Sequence, residues 1–317
     1  MKSKVLITGG SGFIGSNLLR SLLEKRNYEL LNIDIKSSSI PEIQRITHIC
    51  DIRNAEEVER IILDFNPEYI VHLAARTDLN GKTLEDYSSN ITGVKNIIDS
   101  SKKLESLKRI LITSSMLVCK AGYHPKSFYD YCPTTIYGES KVKTEEITRS
   151  SDLKCSWALL RPTSIWGPWF KVPYRNFFDM VRSKRYFHIG NRSCTKTYGY
   201  VGNTVYQIEN ILFKDNSKGQ VFYLGDEPTN IEEWANEIAE LENHKVIRMP
   251  YAIIKTAALF GDILSKIGIK FPMTSFRLKN MTTDNIIDLS NTDNIAPNRP
   301  FSRKDGVLQT LIWLDSN

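Results

Sequence analysis

One turn limits what this chain can fold into more than any other stretch. Thr8-Gly9-Gly10-Ser11-Gly12-Phe13-Ile14-Gly15 follows the apolar run Val5-Leu6-Ile7 and precedes leucines at helical spacing, Leu18, Leu19, Leu22 and Leu23. A buried strand must therefore turn at once into a helix. Glycine permits both the positive φ of such a turn and the close approach of a ligand's phosphates. Gly9, Gly12 and Gly15 stand at the spacing G-x-x-G-x-x-G rather than G-x-G-x-x-G, with the same mechanics. Free N–H groups around Phe13 and Ile14 and the positive helix end face a pyrophosphate. Asp34 lies 19 residues past Gly15, closing the run Leu30-Leu31-Asn32-Ile33. A carboxylate there accepts hydrogen bonds from an adenosine ribose.

From Lys4 to about Arg161, apolar runs alternate with segments of helical period. The runs are Val5–Thr8, Leu30–Asp34, Ile46–Cys50, Tyr69–Leu73, Arg109–Thr113 and Ser156–Leu160. Ala55–Phe65, Tyr87–Leu104 and Tyr137–Ser150 read as the helices between them. That alternation predicts an α/β fold, a doubly wound parallel sheet covered on both faces. It breaks after Arg161, where Pro162, Gly167, Pro168 and Pro173 cluster and aromatics accumulate. The reading is a nucleotide-binding domain over residues 1–165, rejoined by about 196–213, and a substrate region over most of 166–317. Within that region we expect helices at Arg175–Arg185, Ile231–Glu242 and Tyr251–Ile267 and a strand at Gln220–Leu224. Val201–Phe213 reads as a helix returning to the first domain. Ligands of such sheets bind beyond the strands' carboxyl ends, where the second region must lie.

At 317 residues, with 41% hydrophobic and 25% charged residues, the chain has material for an ordinary globular core. Its net charge of +6 is scattered rather than gathered in one run, which points to an anionic small molecule and away from nucleic acid. Five cysteines at positions 50, 119, 132, 155 and 194 show neither C-x-x-C nor metal-ligand spacing, so no metal is expected and the thiols read as reduced. With no charged-then-apolar leader and no uncharged apolar stretch of about 18 residues, the expectation is a cytoplasmic chain without an integral membrane segment. Tyr251–Ile269 is apolar at Ala257-Ala258-Leu259-Phe260 yet carries Lys255, Asp262 and Lys266. It reads as a helix over the substrate site, the alternative being a peripheral membrane contact.

Tyr137 and Lys141 stand four residues apart, on one face of a helix. A phenol is a poor proton-transfer group at neutral pH, but a cation within about 5 Å and the positive ring of an oxidised nicotinamide favour phenolate. Tyr137 then removes a hydroxyl proton as hydride leaves the same carbon. Ser115 follows the strand Arg109–Thr113 and falls at the same sheet edge as the glycines, placed to bond the reacting hydroxyl and share its proton with Tyr137.

On these residues the chain resembles the extended short-chain dehydrogenase/reductases, the superfamily of nucleotide-sugar epimerases, dehydratases and related reductases. The likeness runs from Lys4 to about Asn203, more weakly to Pro300. It includes the glycine turn, Asp34, Asp51-Ile52-Arg53, His72-Leu73-Ala74-Ala75, Asn90, Ser115 with Val118, Tyr137 with Lys141, Arg161-Pro162 and Trp166-Gly167-Pro168. The resemblance implies NAD as cofactor, with Asp51 and Ile52 flanking the adenine and Leu73, Ala74, Ala75 and Asn90 lining the site. Tyr137 and Lys141 would also touch the nicotinamide ribose. His72, a lone histidine ending a buried strand, reads as structural. The same resemblance implies a homodimer through Tyr87–Leu104 and Tyr137–Ser150.

Departures from the pattern narrow the activity. Met116 and Leu117 stand where similar dehydratases carry an acidic pair, which argues against elimination of water. Ser164 replaces the Asn of the R-x-x-N segment, and Lys196-Thr197 replaces an Arg-Asp pair. A diphosphate is expected to meet Ser164, Arg175, Lys196 and Arg277, with Trp166, Trp169 and Tyr198 offering faces to a nucleobase. The leading expectation is an NAD-dependent epimerase that transiently oxidises a ring hydroxyl, at C4, of a nucleotide-diphosphate sugar. The alternatives are a net dehydrogenase or 4-keto reductase of a sugar nucleotide or a 3β-hydroxysteroid-like alcohol, and a noncatalytic NAD-sensing protein.

Overall fold

The computed structural model describes residues 2–172, 174–214, 218–269 and 271–316. Seven parallel strands form the main sheet: β1 Ser3–Thr8, β2 Tyr28–Asp34, β3 Thr47–Ile49, β4 Tyr69–His72, β5 Arg109–Thr113, β6 Ser156–Pro162 and β7 Gln220–Leu224. Their order is β7-β6-β5-β4-β1-β2-β3. Strand order reverses between β1 and β4, so the connections that leave the two adjoining carboxyl ends pass to opposite faces of the sheet and leave a crevice above them.

Alternate residues of each strand feed two separate cores. Leu6, Ile33, Ile70, Ile110 and Ile112 pack with Val58, Ile62, Val94 and Ile97 on one face. Val5, Ile7, Val71 and Leu111 pack with Leu18, Leu22, Val205 and Ile208 on the other. The helix Val201–Phe213 thus rejoins the sheet, as its apolar stripe predicts. So does β7: assigned from sequence to the substrate region, it pairs in parallel with β6 as the sheet's edge strand. Edge pairing is a long-range choice that a five-residue apolar run does not announce.

The segment expected as one helix over Tyr87–Leu104 is broken into a 3₁₀ turn Glu85–Tyr87, a π turn Ser89–Gly93 and a helix Val94–Ser101. The Thr144 hydroxyl donates to the Asn90 carbonyl at 2.6 Å, and a side chain inserted at a ladder carbonyl distorts a helix in this way. This helix and Ile136–Arg149 expose no large apolar side chain among the described residues. Their outer positions hold the pairs Lys95–Asp99 and Lys143–Glu146 instead. Between these charges Ile91, Ile136, Val142 and Ile147 are half-buried.

Beyond β6 a third core gathers Trp166, Phe170, Phe178, Tyr200 and Trp234 against the final helix Arg303–Asp315. The sequence reading does not anticipate that helix, which buries Val307, Leu311 and Leu314 and leaves Leu308 and Ile312 exposed. A smaller cluster joins Ile189 to Ile254, Ala258 and Leu278, which ties the helix Tyr251–Lys266 to the helix Ser275–Thr282.

One ion pair links the helix Ile136–Arg149 to the sheet. Glu145 and Arg161 have no exposed side-chain surface and meet at 2.7 Å. A second bond at 2.9 Å makes the contact bidentate. Ser114 and Tyr131 donate to the same carboxylate at 2.6 and 2.9 Å. Burial alone would raise the pKa of Glu145, but Arg161 and these donors hold it below the usual carboxylate range. Removing one partner leaves a buried charge unmatched, so Arg161→Ala should cost about 3–5 kcal/mol in urea unfolding. A double replacement, Glu145→Leu with Arg161→Met, should cost less than the single one; equal or larger cost would show that the pair is not the source of the loss.

Candidate active site

The glycine turn sits where the strand order reverses. Gly9 has φ 77°, and a Cβ there would meet the Ala74 backbone nitrogen at 2.6 Å. A Cβ on Gly15 would meet the Gly9 carbonyl at 2.4 Å. The turn is therefore pressed against both its own helix and the end of β4, and no side chain caps the helix Phe13–Lys25. Its first N–H groups stay available to an anion. The Asp34 carboxylate accepts the Ser11 and Lys36 N–H groups at 3.0 and 3.1 Å, which fixes it beside the turn with lone pairs left for a ribose. These features fit a dinucleotide.

The flanking residues fall into two groups. Leu73 and Ala74 follow β4 and are half-buried, their N–H groups bonded to the Thr8 carbonyl and hydroxyl at 2.9 and 3.2 Å, with Ala75 next in the chain. Asp51 is half-buried and held by Arg53, whose hydrogen bonds keep its carboxyl below the usual range. Ile52 is buried in the core, against Gly93, so only its backbone is left for a ligand. Asn90 is buried, and its amide is committed to the Arg76 backbone and to Ser140. It orders the loop around the site from within.

Ser115 follows β5; its hydroxyl accepts the Leu117 N–H at 3.1 Å and lies close enough to the Tyr137 phenol to favour its ionised form. The expected pull toward phenolate is not present in the protein alone: burial pushes the Tyr137 pKa up, and only the nearby Ser115 hydroxyl opposes it. The same burial lowers Lys141 to about 8, partly countered by Glu145. The Lys141 ammonium donates to the Thr113 carbonyl at 2.9 Å. Desolvation thus moves both groups toward their neutral forms, and a ligand that brings charge into this pocket acts on them strongly.

Two tyrosines of the site have no local sequence signal. Tyr87 is buried, donates to the Asp78 carbonyl at 2.7 Å and holds its ring 5.9 Å from that of Tyr137. Tyr174, from beyond β6, lies near the Ser164 hydroxyl and close enough to Tyr137 to raise its pKa. The hydroxyls of Ser115, Tyr137, Tyr174 and Ser164 thus lie near one another.

The expected diphosphate set is less unified. Arg175 opens the helix Arg175–Arg182 and pairs with Asp179 at 3.3 Å. Lys196 donates to the Asn280 carbonyl at 2.5 Å and Arg277 to the Pro272 carbonyl at 2.7 Å, which places both at the helix Ser275–Thr282. Trp166 corrects the sequence reading. It is buried against Tyr200 and Trp234, with ring centres 5.1 and 5.0 Å away, and is no open face for a base. Trp169 is covered by the Arg20 guanidinium at 4.4 Å. Tyr198 and Trp166 border a cavity of about 320 Å³ with Asp226, Arg299 and Arg303.

A family model described as the NAD dependent epimerase/dehydratase family matches residues 5–215. The chain is 27% identical over 321 residues, 98% of this chain and 95% of the relative, to N-acetyl-alpha-D-glucosaminyl-diphospho-ditrans,octacis-undecaprenol 4-epimerase of Escherichia coli O157:H7. It is 28% identical over 297 residues, 85% and 79% of the two chains, to a 3-beta-hydroxysteroid dehydrogenase of Mycolicibacterium neoaurum. Among solved structures, UDP-glucuronic acid 4-epimerase from Bacillus cereus, in complex with NAD, superposes with a TM-score of 0.75 at 19% identity over 99% of both chains. UDP-glucose 4-epimerase from Thermotoga maritima, with UDP-glucose, gives 0.74 at 20% identity over 99% of both.

His72 ends β4 with Nδ1 2.7 Å from the Thr8 hydroxyl, and burial, helped by Lys141, lowers its pKa to about 3. In the unfolded chain it protonates below its ordinary 6.5. Between those values the unfolded state binds the extra proton, so stability falls as pH drops from about 6.5 toward about 3, by at most ~1.4 kcal/mol per pH unit from this group. His72→Gln should flatten that limb in urea titrations at stepped pH. An unchanged slope would mean that His72 is protonated in the folded protein.

Proposed function

Since the chain belongs to the NAD dependent epimerase/dehydratase family, we propose that it interconverts the C4 epimers of a sugar carried on a diphosphate, with Tyr137 moving the hydroxyl proton. The observation that carries this reading is the gathering of Ser115, buried Tyr137 and buried Lys141 at the sheet edge that also holds the glycine turn, with the Ser115 hydroxyl close enough to act on the Tyr137 phenol and Lys141 anchored on the Thr113 carbonyl. When bound, oxidised NAD supplies a hydride acceptor and a positive charge that favours phenolate.

Ser115 holds the substrate hydroxyl and Tyr137 takes its proton. Lys141, its charge weakened by burial but its position set by the Thr113 carbonyl, stabilises the phenolate. Tyr137 returns the proton when the hydride comes back to the opposite face of the ring carbon. Met116 and Leu117, which form the turn after Ser115, offer no acid or base for eliminating water, which supports epimerisation over dehydration.

Lys196 and Arg277, at one helix, support a diphosphate on the substrate. The burial of Trp166 removes one expected contact to a nucleobase, and the Escherichia coli relative is named for a polyprenyl-linked sugar, so the group beyond the diphosphate is tested both ways. Incubation with NAD and a panel of UDP-, GDP-, CDP- and dTDP-sugars and polyprenyl diphosphate sugars should give C4 inversion by NMR in one class, without accumulation of reduced cofactor. Reduced cofactor that rises in step with product would identify a net dehydrogenase, and turnover of an uncharged 3β-alcohol alone would reject the sugar reading.

Tyr137→Phe should lower turnover by about 10²–10⁴ while cofactor affinity and the unfolding midpoint hold. Near-full turnover in that variant would move proton transfer to another group. For the cofactor, Asp34 beside the turn disfavours a 2′-phosphate by like-charge repulsion and the loss of a ribose hydrogen bond. Calorimetric titration should show NAD bound at least about tenfold more tightly than NADP, a margin that Asp34→Ser narrows. Equal affinities in the unaltered protein would overturn this role of Asp34.

A further inference from the structure

The helix Tyr251–Lys266 is apolar on two sides. Ile254, Ala258 and Gly261, at positions i, i+4 and i+7, are buried against Ile189 and the helix Ser275–Thr282. Turned away from them, Ile253, Phe260, Ile263 and Ile267 form a second apolar face that points to solvent. Ile263 is 60% exposed and Ile267 67%. Phe276, on the packed neighbour, is 76% exposed. A helix that buries one apolar face and presents another leaves a contiguous patch of a kind that marks an interaction surface.

The charges around the patch select the partner. Lys255 and Lys266, at i and i+11, share one flank of the helix and are exposed, as are Arg277 and Lys279 on the neighbouring helix. The one acid within the helix, Asp262, accepts the Ser275 N–H at 3.0 Å, so it serves the hairpin between the two helices. An apolar strip rimmed by cations is the composition of a helix that lies in a bilayer interface, side chains in the acyl boundary and ammonium groups among anionic headgroups. No helix among the described residues is long and apolar enough to cross a membrane. A protein partner fitting this patch would need an acidic rim around an apolar groove, whereas an anionic lipid surface supplies both layers without further assumption.

We propose that the outer face of Tyr251–Lys266, extended by Phe276, docks the protein on an anionic membrane surface. The same hairpin carries Asn280, whose carbonyl accepts the Lys196 ammonium, so docking places the surface beside the substrate region. The docking is independent of the reaction proposed above and is read without substrate.

The full chain is sedimented with vesicles of phosphatidylcholine alone or with one-third phosphatidylglycerol, at low and high salt. The expected result is co-sedimentation with the anionic vesicles, weakened at least threefold by high salt, and at least a tenfold lower partition for Ile263→Glu with Ile267→Glu. Both positions are exposed, so that variant should keep its unfolding midpoint and its NAD affinity. A milder variant, Lys255→Gln with Lys266→Gln, should lose the salt-sensitive part alone. The proposal is overturned if the unaltered protein stays in the supernatant with anionic vesicles, or if the glutamate variant sediments as the unaltered protein does. It is equally overturned if sedimentation velocity shows that the patch is covered by a second copy, released by the glutamate substitutions.

Discussion

The buried contact between Glu145 and Arg161 holds the candidate site together. Glu145 lies on the helix that carries Tyr137 and Lys141, Arg161 lies on β6, and Ser114, which donates to the same carboxylate, immediately precedes Ser115. One carboxylate therefore sets the helix against two adjacent strand ends. A group so deeply buried is tolerable only when each oxygen is matched, and that condition fixes the helix in rotation as well as distance. The Tyr137 phenol is thereby held near the Ser115 hydroxyl, because its helix cannot turn without breaking the match.

The same burial sets the electrostatics of the site. Withdrawal from water pushes the phenol up and the ammonium down, so the pocket by itself favours an uncharged Tyr137 and a weakened Lys141. Low dielectric magnifies whatever charge next enters. In the mechanism proposed above, an oxidised dinucleotide at the glycine turn would introduce that charge at the carboxyl edge where the two side chains lie, so proton transfer would depend on a filled cofactor site. His72 is kept neutral by the same desolvation, so the Lys141 charge is not opposed by a second cation from the end of β4.

The substrate region is organised by a different force. Trp166, which looks from the sequence like a face for a base, closes with Phe178, Tyr200 and Trp234 into a core against the last helix. Large rings bury more area against each other than an occasional ligand offers, so the core takes them first. What this region leaves open is hydroxyl and cationic, Tyr174, Ser164 and Lys196, together with the apolar outer face of Tyr251–Lys266.

Local rules suffice for much of this protein. The strand-to-helix turn, the strands Arg109–Thr113 and Gln220–Leu224, the helices Ala55–Phe65 and Val201–Phe213, and the Tyr137–Lys141 spacing all follow from periodicity and from what glycine alone allows, and all are legible in the sequence. Tertiary structure decided the rest, because it depends on contacts far apart in the chain. Which sheet takes Gln220–Leu224, which aromatics are core, how Asn90 is consumed by Arg76 and Ser140, and that Tyr174 lies near Ser164 are settled by packing over long sequence separation. No periodicity marks Glu145 as the partner of Arg161; that pairing exists only because two elements, each correct locally, are pressed together where no water can replace either charge.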